Sequence, residues 1–223
     1  MDNPIIDGFE ITAYIKPAND IGGDYYDVIN CGSNDWVVIG DVSGHGVPAG
    51  LVMMMVQSSI QTMVRKYPDL RPSELLSIVN ETIKYNVKKM KDQKYMTITA
   101  FSFRKDGSAV YSGLHQDLLV YRASSSNVDV LSTGGLWLSP WDLKRENIDS
   151  DLYMKRGDTL LLYTDGLTEA IDAGNAMFSD NKLVGIFKKY GNLKTDEIRD
   201  KILEALQGYT LNDDVTVVLL KKI

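Results

Sequence analysis

The chain has 223 residues, 44% of them hydrophobic and 24% charged, and its 24 Lys and Arg against 30 Asp and Glu give a formal net charge of −6. That usage excludes a disordered or low-complexity chain, and it lacks the basic excess with which nucleic-acid binders neutralise phosphates. A single cysteine, Cys31, excludes an intramolecular disulfide and a cysteine-built zinc site.

Met1-Asp2-Asn3-Pro4 carries the wrong charge for a secretory signal, and no apolar segment follows it. The longest nearly apolar stretch, Val47 to Val56, is about half the ~20 residues a membrane span needs. The expected address is the cytoplasm, without membrane insertion. No internal repeat or long Pro/Gly/Ser linker divides the sequence, so residues 1–223 read as a single domain.

Glu10 to Lys16 alternates, with Ile11, Ala13 and Ile15 on one face, and predicts a half-buried strand. Tyr25 to Asn30 and Trp36 to Asp41 flank the turn segment Cys31 to Asp35 and predict a hairpin. Val47 to Lys66 predicts a helix with Pro48 in its first turn. Its Leu51 to Val56 segment is apolar all round, so that helix is expected to be buried. Met53, Met54, Met55 and Met63 read as a soft core face. Pro72 to Met90 predicts a second helix with Leu75, Val79 and Ile83 in one row. Strands are expected at Met96 to Arg104, Ala109 to Ser112, Leu118 to Arg122 and Val128 to Leu131, with the serine-rich Arg122 to Asn127 as a hairpin loop. Thr159 to Thr164 predicts a buried strand. Two amphipathic helices follow, one lined by Leu183, Ile186, Phe187 and Tyr190, the other by Ile198, Ile202 and Leu206. Val215 to Leu220 closes the chain as a strand. Strand-rich segments interrupted by helix pairs argue for the α+β class.

Acidic residues recur at the strand ends, in Gly22-Gly23-Asp24-Tyr25-Tyr26-Asp27, Gly40-Asp41-Val42-Ser43-Gly44-His45-Gly46, Tyr163-Thr164-Asp165-Gly166-Leu167-Thr168-Glu169 and Asn212-Asp213-Asp214-Val215-Thr216. A hairpin turning about Gly32 and Ser33 keeps the sum of paired positions constant, which sets Asp24 opposite Asp41. If the strands before Asp165 and after Asp213 are antiparallel neighbours, these two aspartates share a sheet edge. Aspartates gathered at one edge repel unless a cation lies between them, and oxygen-only ligands select Mg2+ or Mn2+. Asp-Gly pairs also form plain turns, but four such clusters at apolar strand ends favour the metal reading.

These motifs, in this order, resemble the metal-dependent protein phosphatases (PPM, type 2C), specifically the bacterial SpoIIE/RsbU-like branch. The matching stretches also include Gly113 to Arg122 and Gly157-Asp158-Thr159, and they run from Tyr14 to the C-terminus. The resemblance implies a β-sandwich of two antiparallel sheets flanked by helix pairs (α-β-β-α), with two Mn2+ or Mg2+ ions. It implies hydrolysis of phosphoserine or phosphothreonine by a metal-bridging water. By position, Asp41 matches the bridging ligand, Val42 the residue that ligates through its carbonyl, and Asp24 the residue bound through metal water. Asp165 and Asp213 match the carboxylates of the second ion, with Asp214, where the eukaryotic pattern has asparagine, as the neighbouring alternative. The implied substrate is a phosphorylated protein, a STAS-type anti-sigma-factor antagonist in bacterial signalling, and a homodimer is compatible with it.

The sequence departs from the family pattern in two places. No arginine precedes Arg65 to hold phosphate, leaving that work to the metals with Lys16 as assistant, and Gly113-Leu114-His115-Gln116-Asp117 replaces the usual Ala-Gly-His-Asn-Pro-Pro. His45, between two glycines beside Asp41, is the candidate general acid. His115 reads as structural, and Glu169 as a carboxylate near a helix start. Cys31 lacks the context of a cysteine phosphatase. Gly22 to Tyr26 is superficially like a diguanylate-cyclase loop but lacks its Glu-Phe half, and no phosphate-binding Gly-x4-Gly-Lys motif is present. The rival reading is a non-catalytic PPM-like regulatory domain.

Overall fold

The structure, a computed structural model, describes residues 6–18, 20–104, 107–141 and 146–223. The Met1 to Pro4 segment read above for a signal lies outside them. Its elements are β1 (Phe9–Lys16), β2 (Tyr25–Asn30), β3 (Asn34–Val42), α1 (Val47–Lys66), α2 (Pro72–Met90), β4 (Met96–Arg104), β5 (Ala109–Ser112), β6 (Leu118–Arg122), β7 (Asn127–Leu131), β8 (Ser150–Leu152), β9 (Thr159–Tyr163), α3 (Asp165–Thr168), α4 (Asp180–Tyr190), α5 (Thr195–Ala205) and β10 (Val215–Lys222). They form two five-stranded sheets, ordered β1-β10-β9-β6-β7 and β2-β3-β4-β5-β8, and every strand pair is antiparallel. This is the α+β class with two antiparallel sheets and helix pairs that the sequence predicts. Strand ends differ from the expected ones by a residue or two, except for the three-residue β8 and the four-residue α3, which are too short to show a period.

The chain divides into two compact units, each assembled from separate stretches of sequence. One takes the residues through Ala18, Gln116–Ser132 and Met154–Ile223 and holds the first sheet with α3, α4 and α5. Leu183 and Phe187 of α4 and Ile198 and Ile202 of α5 are fully buried against Leu119, Tyr121, Leu161 and Leu219 of that sheet. The other unit, Asn19–His115 with Thr133–Tyr153, holds the second sheet with α1 and α2. There the row Leu75, Val79, Ile83 packs with Trp36, Val38, Ile98 and Ala100.

One expectation fails. α1 is not buried all round: Val52, Val56, Ile60 and Val64 are buried, but Val47, Leu51 and Met54 are each more than half exposed. A helix resting on one sheet face and one neighbouring helix buries only the stripe that meets them, whatever the rest of its sequence. Of the expected methionine face, Met53, Met55 and Met63 do pack against the core and Met54 does not. By length and hydropathy α1 would also pass for a membrane span, as core helices do.

The start of α2 shows how distant chain fixes a helix end. Asp149 accepts hydrogen bonds from the Ser73 amide (2.9 Å) and hydroxyl (2.8 Å), and it pairs with Arg71 at 3.0 Å. We expect Asp149→Ala to lower stability by about 1–2 kcal/mol, the usual cost of losing a helix cap, read as a shift in the denaturant midpoint at unchanged slope.

Candidate metal centre

Pairs from Tyr25↔Gly40 to Asn30↔Asp35 fix the β2–β3 register, and the Val42 amide donates to the Gly23 carbonyl at 3.3 Å. This is the register read from the sequence, and it sets Asp24 opposite Asp41 at the open end of the hairpin. Asp24 is 5% exposed and Asp41 half-buried. A Cβ added at Gly23 would lie 3.0 Å from the Val42 carbonyl oxygen and 3.4 Å from Asp41 Oδ1. The Ala49 Cβ would lie equally near, at 3.4 Å, so glycine at position 23 lets this backbone pack closely beside the Val42 carbonyl and the Asp41 carboxylate, one neutral and one anionic oxygen.

Beyond Asp41 the chain turns into α1 through Ser43 to Gly46. Ser43 is held to Tyr95, the residue just before β4, by its amide on the Tyr95 carbonyl (2.8 Å) and by its hydroxyl, which accepts from the Tyr95 amide (3.1 Å). Lys94 Nζ donates to the Ser43 carbonyl at 2.8 Å and has no carboxylate partner among the described residues. His45 is exposed and has no hydrogen-bond partner among the described residues. Lys16, expected to assist with phosphate, is the exposed last residue of β1, in the other unit. Cys31 sits in the β2–β3 turn. Burial pushes its thiol up more than anything else does, Arg65 lowers it, and Asp35 and Asp27 raise it further, which disfavours the thiolate.

In the other unit, β9 and β10 are antiparallel neighbours, as anticipated, with Tyr163 opposite Val217. The pairing continues beyond β9: the Thr164 amide donates to the Thr216 carbonyl (3.1 Å), and the Thr216 amide to Thr164 Oγ1 (2.9 Å). Asp165 and Asp213 thus sit at one edge of this sheet. A Cβ on Gly166 would collide with the Asp214 carbonyl oxygen, so glycine lets the Asp165 turn lie directly on the 213–214 backbone. Burial pushes the Asp165 carboxyl up, and the negative charges of Glu169 and Asp213 add to it. Asp214 is 3% exposed, and its Oδ1 accepts the Ala18 amide at 2.7 Å. Of the two neighbours, then, Asp213 is the one that acts on Asp165.

Glu169 departs from its expected place. It caps the C-terminal end of α3, where the helix dipole does not favour a carboxylate, and it adds a third negative charge near Asp165. Lys94, Thr97 and Glu169 were not singled out for the site from sequence. Lys94 and Thr97 reach the loop only through the β3–β4 pairing, which no local motif encodes.

Among the described residues no three His, Cys, Asp or Glu side chains are placed together so that they could hold one metal ion. The donors present are hard oxygens, and they fit Mg2+ or Mn2+ rather than a soft metal.

The family model for stage II sporulation protein E (SpoIIE) matches residues 32–222. The chain belongs to the SpoIIE family. A curated relative of this SpoIIE-family chain, the phosphoserine phosphatase RsbU of Bacillus subtilis, is 25% identical over 229 residues. That alignment covers 98% of this chain, which spans only 65% of the relative's length. Among solved structures, the PP2C domain of SiaA from Pseudomonas aeruginosa aligns with a TM-score of 0.80 at 18% identity, over 95% of this chain and 84% of its own. The RsbU and RsbW domains of Rv1364c from Mycobacterium tuberculosis align with a TM-score of 0.81 at 23% identity, over 98% of this chain and 61% of theirs. At these identities the structures show a shared fold, that of the PP2C phosphatases.

Proposed function

We propose that this SpoIIE-family chain is a metal-dependent protein serine/threonine phosphatase acting on phosphoserine or phosphothreonine. The observation that carries this reading is the pair of oxygens at the hairpin mouth, Asp41 Oδ1 and the Val42 carbonyl, brought close together beside the Gly23 backbone. In the proposal Asp24, Asp41, the Val42 carbonyl, Asp165 and Asp213 hold two Mn2+ or Mg2+ ions. When bound, such ions supply the Lewis acidity that activates water and neutralises phosphoryl oxygens. Asp213 is preferred to Asp214 because Asp214 is buried on the Ala18 amide. His45 donates a proton from its imidazole to the departing serine or threonine oxygen, a role supported by its exposure on a loop anchored to Tyr95.

The proposal takes residues 1–223 as one phosphatase domain working in the cytoplasm on a phosphorylated STAS-type protein. Support for that substrate is the likeness to RsbU, together with a net charge of −6 that opposes encounter with nucleic acid. Hydrolysis of an aryl phosphate is expected with Mn2+, more weakly with Mg2+, to stop on chelation and to survive Cys31→Ser. Metal binding without turnover would return the chain to a non-catalytic regulator. On substrates, kcat/KM should fall from an intact phosphorylated STAS protein to its excised phosphopeptide and further to a phosphotyrosine peptide. Equal rates on all three would defeat the STAS assignment.

A further inference from the structure

His115, read from sequence as a structural turn residue, is held unusually firmly. Its amide donates to Thr133 Oγ1 at 3.0 Å, and the same hydroxyl donates back to the His115 carbonyl. One residue earlier, the Leu114 carbonyl accepts the Ile98 amide at 2.8 Å, and Gly113 bridges to Gly134. His115 Nδ1 lies 2.8 Å from the hydroxyl of Thr97. Thr97 is the cross-strand partner of Asp41, and its hydroxyl lies 3.4 Å from the Asp41 carbonyl oxygen. All of these residues belong to one unit.

The hydroxyl of Thr97 has one proton to give. Both of its contacts are satisfied together only if His115 donates from Nδ1 and Thr97 passes its own proton on to the Asp41 carbonyl. That carbonyl belongs to the peptide joining Asp41 to Val42, and the amide of the same peptide donates to Gly23. With both polar groups anchored, the plane of this peptide is fixed. The next peptide is anchored too, by the Ser43 amide on the Tyr95 carbonyl at 2.8 Å, so the backbone from which the Asp41 side chain and the Val42 carbonyl project is restrained on both sides.

We propose that His115 and Thr97 are positioning residues which orient the Asp41–Val42 peptide for the divalent metal through an imidazole–hydroxyl–carbonyl relay. The inference rests on Asp41 as a metal ligand. His115 touches neither substrate nor metal in this scheme. It acts through Thr97, as hydrogen-bond partners behind metal ligands do.

The test measures Mn2+ affinity by calorimetry and by the EPR signal of free Mn2+, alongside kcat and KM for an aryl phosphate. Thr97→Val and His115→Leu should each weaken Mn2+ binding about 10- to 100-fold, while Thr97→Ser and His115→Asn, which keep the donors, should stay within about threefold of wild type. At saturating Mn2+, kcat is expected to fall and KM to hold. Folded Thr97→Val and His115→Leu proteins that bind Mn2+ as wild type does would overturn the relay. Should these variants not fold, nitrogen-15 NMR of the wild-type imidazole decides: a proton on Nδ1 supports the relay, and a neutral ring protonated on Nε2 alone overturns it. Asp41→Asn separates this inference from the one beneath it. If Asp41→Asn loses Mn2+ and Thr97→Val does not, only the relay fails; if Asp41→Asn keeps Mn2+, both fail.

Discussion

Asp41→Asn and Asp165→Asn should each cost about 100-fold or more in turnover, the equivalent of ~3 kcal/mol or more of lost transition-state stabilisation. Neither should unfold the protein. Burial, Glu169 and Asp213 all hold the Asp165 carboxyl above its ordinary range, so the metal-free folded chain keeps this proton to a higher pH than the unfolded chain does. Between the unfolded and the folded pKa the native state binds more protons, and stability therefore falls as pH rises through that window. Above the folded pKa the whole cost is present. Asp165→Asn removes it, so the metal-free variant should melt at or above the wild-type temperature at pH 7. That advantage should vanish below about pH 4, where the carboxyl is protonated in both states. Thermal melts of both proteins in chelator across pH 3–8, with turnover in Mn2+, check the pair of effects. Near-normal turnover in either variant would show the site to be misplaced.

Asp158→Ala should do the opposite, damaging the fold while sparing the chemistry. Asp158 belongs to the Gly157-Asp158-Thr159 motif and looks like a further acidic site residue, yet it is 2% exposed and its carboxylate is already spent. It accepts the Arg122 guanidinium, the Ala123 amide and the Lys155 amide, all at 3.0 Å. The same Arg122 also reaches Asp129 on β7 at 2.6 Å, so one arginine ties β7 to the turn before β9. Removing the carboxylate strands two amides and half of a largely buried ion pair, a loss of about 3–5 kcal/mol. For a domain of this size that is a drop of roughly 10 °C in Tm. Asp158→Asn, which keeps one acceptor oxygen, should lose less. Activity per folded molecule should stay near wild type in both, measured well below the melting temperature. A folded Asp158→Asn protein without turnover would instead put Asp158 in the chemistry.

The contrast between Asp158 and Asp165 shows where local sequence stops being informative. Each is an aspartate beside a glycine at an end of β9, and nothing in their immediate neighbours separates them. Their environments do. Asp158 meets a guanidinium and two amides, whereas Asp165 meets carboxylates. Glu169 makes the same point: the sequence suggests a helix start, and the folded chain puts it at the far end of a single turn too short to carry a period.

What the sequence alone determined is whatever depends on neighbours a few residues apart. The Asp24–Asp41 apposition could be read because a tight hairpin converts sequence distance into register by simple addition, and the observed pairs keep that sum. The helices α1 and α2 could be read to the residue because periodicity, Pro48 and Pro72 mark them locally. Only the tertiary structure decided which face of α1 is covered, since burial depends on what packs against a helix and not on its own hydropathy. It alone brought Asp149 to the start of α2, and His115 and Thr97 behind Asp41. Those meetings join residues 18 to 76 apart in sequence through strand pairings and loop closures, and no pattern of neighbouring side chains specifies which distant segment will arrive.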